Sequence, residues 1–274
     1  MMQSHLNREP LSDAQIQKIA PSVFAGQPWH AVSDKYAFIP TSEIVSRMRA
    51  EGFVPVFAQQ ALTRISEKEN FTKHWLRFQA ADRQPLTKVG QNFAEVSVMN
   101  AHDRSSAYDV ALGAYRFACE NGLIVSNGFM ASVHVRHTGD IVEEVLSATF
   151  ALIAQAPKLT KAIELWQQIQ LTDAERQDFA RAAHALRYEP DSNMFKALEP
   201  QRLLASRRWE DNKTDLWTTF NVVQENAIKG GLRAHPVNGR RTKTRGVTGI
   251  DENVKLNKSL WALAENAAQL KLGE

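Results

Sequence analysis

The spacing of apolar residues changes period once, at Asp140, and no other feature of the chain constrains its fold as much. Before that point alternation dominates, after two short helices. Ser12 with Gln15 forms a capping box, and Pro21 closes the helix it opens. Thr41 or Ser42, after Pro40, caps a second helix with Ile44, Val45 and Met48 on one face, ended by Gly52. Residues 53–62 and 71–80 then read as strands around the polar turn 66–70. Residues 93–100 form a third, with Ala94, Val96 and Val98 on one face. A fourth, 106–112, follows across the turn Ala101-His102-Asp103-Arg104-Ser105. One or two helical turns are expected at 115–120. Residues 123–126 and 130–137 read as a hairpin turning at Asn127-Gly128.

Beyond Asp140 the period is that of helices. Residues 140–170 make one helix or two, since Pro157 can start a second. Thr172 with Glu175 boxes the next, which runs to about Arg187. Residues 188–199, with Pro190, read as a linker. Residues 215–229 form a helix stopped by Gly230-Gly231, and 254–272 form the last. Strands first and helices afterwards signify an α+β protein, not an alternating parallel fold. Residues 1–137 are expected to hold the helices and antiparallel sheet, and 138–274 the helical region, packed together as one domain.

Composition removes several classes. With 274 residues, 43% of them hydrophobic, the chain is expected to fold without staples. A single cysteine, Cys119, excludes an internal disulfide framework and any thiolate-rich zinc site. Its setting between Ala118 and Glu120 favours burial as a small apolar residue over reactivity. No stretch approaches the ~20 apolar residues of a membrane span, and the first twenty residues lack a signal-peptide core. A soluble, cytoplasmic protein is expected. No glycine loop for phosphates, GxSxG elbow or HExxH helix is present.

The charge is uneven. Residues 1–198 hold 20 basic and 21 acidic side chains, and 199–274 hold 13 and 9. Within the latter, residues 227–250 carry Lys229, Arg233, Arg240, Arg241, Lys243 and Arg245 and no acid. Six glycines and prolines in that window suggest a long mobile loop. A bland reading is a solvated connector. A window of this kind also suits a polyanion, whose counterions it displaces. Arg207 and Arg208 add to the candidate nucleic-acid surface.

A second, polar candidate comprises Asn100, His102 and Asp103, with Arg116 and Asn121. In a hairpin turn, Asn and Asp more often serve local hydrogen bonding than ligation. His134 and His137 lie three apart on a strand and so face opposite sides, which argues against a shared metal. Among the aromatics of the sheet half, Trp75, Phe78, Phe93, Tyr108, Tyr115, Phe117 and Phe129, most belong to the core. One or two beside Arg77, Arg104 or Arg116 would suit base stacking. Trp209, Trp217 and Trp261 read as packing anchors.

Longer runs carry a resemblance. Tyr36-Ala37-Phe38-Ile39-Pro40, Glu51-Gly52-Phe53 with Pro55, Lys73-His74 with Leu76-Arg77, Asn100-Ala101-His102-Asp103 with Ser105-Ser106-Ala107-Tyr108, and Arg116 with Cys119-Glu120-Asn121-Gly122-Leu123 occur in order. Arg207-Arg208-Trp209, Asp215-Leu216-Trp217-Thr218-Thr219, and Gln224-Glu225-Asn226 with Ile228-Lys229-Gly230-Gly231-Leu232 follow. Arg241-Thr242-Lys243-Thr244-Arg245 and Gly249-Ile250-Asp251 with Val254-Lys255-Leu256-Asn257 complete the series. Together they resemble uncharacterised protein family 0380, which carries domain of unknown function 932 and occurs on plasmids, phages and genomic islands. The resemblance brings no catalytic residue set. It implies mobile-element DNA biology, and in outline the chain is similar to phage-type single-strand annealing proteins, a likeness of fold alone.

The expectation is therefore a non-catalytic protein binding nucleic acid, single-stranded or recombining DNA foremost, without cofactor or metal. A homo-oligomer is compatible with it. Two alternatives stand beside it. One is a metal-assisted enzyme on nucleic acid or nucleotides, using His102, Asp103, His134 or His137. The other is a partner-binding inhibitor of a host defence, against which the basic tail argues.

Overall fold

A computed structural model describes residues 9–29, 38–82, 92–116, 123–124, 132–136, 140–235, 239 and 241–273. The described chain divides into two compact units, the first ending at Pro157 and the second beginning at Lys158.

The first unit is an antiparallel sheet with helices. Helix α1 (Asp13–Ile19) starts on the expected Ser12–Gln15 capping box. Helix α2 (Thr41–Ala50) follows, then β1 (Phe53–Gln60), β2 (His74–Ala80), β3 (Asn92–Asn100) and β4 (Tyr108–Arg116). These four strands pair in sequence order, each antiparallel to its neighbour. Pro55 sits on the edge strand β1 beside a break in register at Pro55/Phe57, where its missing N–H does least harm. Tyr115 and Arg116 belong to β4 rather than to the expected helical turn; 117–120 lie outside the described residues.

The expected 123–137 hairpin is also revised. Strands β5 (Leu123–Ile124) and β6 (Ser132–Val135) both pair with β4 in the same antiparallel sense, β5 at Gly113–Ala114 and β6 at Tyr108–Ala111. They are successive stretches along one edge. A nine-residue strand offers room for both, and each gains ladder bonds there. The proposed turn at Asn127-Gly128 lies outside the described residues.

Pro157 does start a new helix: α3 (Ile141–Ile153), capped by Asp140, is separate from α4 (Ala156–Gln168). The boundary between the units falls between Pro157 and Lys158, and α3 spends its apolar face on the first unit. It packs against α2, β3, β4 and β6, with Phe150 edge-on to Phe53.

In the second unit, α5 (Asp173–Arg187) starts on the Thr172–Glu175 box. The expected linker at 188–199 contains a short helix, α6 (Asn193–Ala197), capped by Ser192. Tyr188, Ala197, Leu198 and Ala234 form a buried cluster, so this segment is core. Helix α7 (Leu216–Lys229) is capped by Asp215, and α8 spans Ile250–Leu272. Every residue of α7 but Lys229 is buried. Several of its polar side chains are satisfied inside: Thr218 by Asp215, Asn221 by the Trp217 carbonyl, Gln224 by Asn257. Trp166, Trp217, Phe220 and Trp261 pack as one aromatic cluster, with Trp166 and Trp261 centroids 4.3 Å apart.

Candidate functional site

Where it is described, the basic window is held by a backbone crossing and a short antiparallel ladder. Helix α7 stops because Gly230 turns with φ +64° and ψ −147°, a conformation open essentially to glycine alone. A Cβ there would lie 2.6 Å from the Arg245 carbonyl carbon, and one on Gly246 would lie 3.0 Å from the Lys229 oxygen. The two strands of chain thus cross in backbone contact. Gly231 N–H donates to the Thr244 carbonyl, Thr244 N–H to that of Leu232, and Val247 N–H to that of Ile228. Beyond the crossing, β7 (Arg233–Ala234) pairs antiparallel with β8 (Thr242–Lys243). Arg187 reinforces the base, donating to the Ala227 and Arg245 carbonyls while pairing with Glu252 at 3.0 Å.

Alternation along this ribbon sorts its side chains. Ala234 and Thr244 point inward and are buried. Arg233 and Lys243 are opposed across the ladder, and Arg241 and Arg245 stand two residues to either side of Lys243. All four are exposed, and among the described residues none forms an ion pair. Arg240 lies outside the described residues.

The other predicted cations are bound internally. Arg207 donates from Nε to Asn226 Oδ1 at 2.8 Å and from Nη2 to the Gly230 carbonyl. Arg208 grips both oxygens of Glu225 at 2.8 Å and Asp211 at 2.9 Å. Lys229 reaches Glu225 at 3.0 Å. Burial alone would raise the Glu225 carboxyl; the hydrogen bonds and charges of Arg208 and Lys229 overcome it and hold the group below its ordinary range. The hydrogen bonds to Glu225 in turn raise Arg208 further above its usual value. These three cations are spent on partners within the chain. Trp209, which follows Arg208 and is expected to be a packing anchor, is 80% exposed.

The polar turn lies in the first unit, and its members part company. Asn100 and His102 are fully buried and converge on Thr41, which sits inside α2 rather than capping it. Thr41 Oγ1 lies 2.8 Å from His74 Nε2, 3.1 Å from Tyr108 Oη, and 3.3 Å from His102 Nε2 and Asn100 Nδ2. Asp103 turns the other way, pairing with Lys68 at 2.8 Å and accepting from Ser105 N–H at 2.9 Å. Burial would raise it; Lys68 and Ser105 outweigh that and lower it. Arg116 stands opposite Asn92 in the β3–β4 register, and Asn121 lies outside the described residues. His134 meets Asp109 across the ladder at 2.8 Å; His137 is not among the described residues. Among those residues no three of His, Cys, Asp and Glu gather as metal ligands do.

The sheet aromatics do not offer a stacking face where they are described. Trp75, Phe78 and Tyr108 are buried. Arg77 is buried too, 4.1 Å from the Phe57 ring centre and 3.4 Å from Glu95.

The family model described as Domain of unknown function (DUF932) matches residues 28–261. UPF0380 protein YfjQ of Escherichia coli (strain K12) is 35% identical over 256 residues, covering 93% of this chain and 91% of its own length. UPF0380 protein YafZ of the same organism is 34% identical over the same span and shares. No solved structure matches the chain significantly. Among the described residues no helix is long and apolar enough to cross a membrane.

Proposed function

The chain belongs to the DUF932 family, and from that footing we propose that it binds nucleic acid, single-stranded DNA foremost, on the outward face of the β7–β8 ribbon, without performing chemistry on it. One observation carries the reading: four exposed cations cluster on this short ribbon, and among the described residues no acid pairs with them. Arg233 and Lys243 stand directly opposite one another, an arrangement that costs a strand pair stability. An anion laid along the ribbon relieves that repulsion, and a phosphate backbone supplies several at once. Gripping phosphates this way leaves bases free to pair, which suits strand annealing or recombination in the cytoplasm and on mobile elements.

The test is a salt titration of oligonucleotide binding by fluorescence anisotropy. Replacing Arg233, Arg241, Lys243 and Arg245 together with alanine should weaken binding evenly across sequences. It should also flatten the log–log salt slope by about 2–3 units, at ~0.7 per phosphate on a single strand. Equal affinity of parent and variant at every salt concentration would reduce the ribbon to a connector.

A further inference from the structure

Trp209 is the exposed tryptophan of the second unit; Trp166, Trp217 and Trp261 are buried there. An indole left in water forgoes one of the largest burial gains any side chain offers. Its surroundings are nevertheless fixed. Trp209 opens a three-residue turn, Trp209–Asp211, closed by Asp211 N–H to the Arg208 carbonyl and Asn212 N–H to the Trp209 carbonyl. Ser206 Oγ donates to the same Arg208 carbonyl. The Arg208 fork ties this turn to Glu225 on α7, and Arg207 ties it to Asn226 and Gly230. Both arginines preceding the indole therefore act as its mount.

That mount stands where the ribbon begins. Arg207 touches the carbonyl of Gly230, the residue from which the basic strands spring. Trp209 is two residues away, a span of at most about 7 Å between Cα atoms. The turn that carries the exposed ring and the base of the cationic ribbon are thus both fastened to the C-terminal end of α7. Single strands need this combination: cations for the phosphates and a ring for the bases, whose faces are open only when the duplex is not.

We propose that Trp209 is a base-stacking residue, and that it gives the ribbon a preference for single strands over duplexes. The proposal rests on the ribbon reading above and adds the ring to it.

The experiment compares the parent with Trp209→Ala and Trp209→Phe on four probes of equal length: oligo-dT, oligo-rU, an abasic DNA strand and a DNA duplex. Stacking contributes about 5- to 160-fold per base. Trp209→Ala should lose about that much affinity for oligo-dT or oligo-rU, and whichever strand suffers identifies the sugar. Its binding to the abasic strand and duplex, and its salt slope, should match the parent's. Trp209→Phe should recover most of the loss. Iodide quenching of the parent's tryptophan fluorescence should fall with the base-bearing strand and not with the abasic one.

The proposal is overturned if Trp209→Ala binds every probe as the parent does. It is equally overturned if all four affinities fall together, which would make the indole part of the mount. If the parent binds all four probes alike and the ribbon variant loses them all, stacking fails while the ribbon reading stands. If the parent binds none, both fail.

Discussion

His74 shows how one proton arrangement follows from its neighbours. The Glu69 carbonyl accepts from Gln60 Nε2, so Gln60 Oε1 accepts from Ser22, and the Ser22 hydroxyl is spent as a donor. Ser22 Oγ must then accept from His74 Nδ1, 2.9 Å away, which leaves Nε2 to accept from Thr41. The ring is neutral. Burial pushes its pKa down to about 4, only partly offset by the Thr72 carbonyl and the charge of Asp103. Between pH 6.5 and 4 the unfolded chain therefore binds a proton that the folded one refuses, and stability falls as the solution is acidified through that window. From pH 7 to pH 5 this residue should cost about 2 kcal/mol. Burial lowers His184 as well, in the same direction. Urea unfolding at the two pH values measures the drop, and His74→Gln should shrink it; an undiminished drop would exclude His74 as its source. None of this was legible in the sequence. His74 figured only as part of a motif, and Thr41 only as a cap, because a relay across Ser22, Thr41, Gln60 and His74 joins residues up to 52 positions apart.

Among the elements, the ribbon depends on its crossing. Gly230 and Gly231 both have positive φ, yet only Gly230 faces backbone atoms inside 3 Å. Gly230→Ala should cost about 2 kcal/mol or more, and Gly231→Ala only the ~1–2 kcal/mol of its backbone conformation. Thermal unfolding of the pair decides it: equal losses would mean that the close approach contributes nothing. Helix starts were well read from sequence, since Ser12–Gln15 and Thr172–Glu175 are local devices. The ribbon was misread because its glycines signal looseness when counted and contact when folded. The edge strands β5 and β6 were misread for a related reason: a turn dipeptide proposes a hairpin, but a free edge decides the partner.

For the whole molecule, the period change at Asp140 located the sheet and the helices correctly, and the antiparallel order follows from short consecutive connections. Where the chain divides was not visible there, because period says that α3 is a helix and not which surface takes its apolar face. Nor was the charge ledger. Of the window's cations and the Arg207-Arg208 pair, sequence could not say which were already answered, as Glu225 lies 17 residues from Arg208. Burial also grades the expected rigidity. In native-state hydrogen exchange, β2 and β3 in the first unit and α7 in the second should be slowest, and β7–β8 among the fastest. A ribbon as protected as α7 would contradict that order.

The crossing at Gly230 and Gly246 has one more consequence. It carries the ribbon's attachment in backbone and glycine, so the outward side chains bear none of that duty. Selection for folding and selection for binding then act on separate sets of positions. Arg233, Arg241, Lys243 and Arg245 are free to change with whatever the ribbon meets, and an altered preference can evolve there without first being permitted by the core.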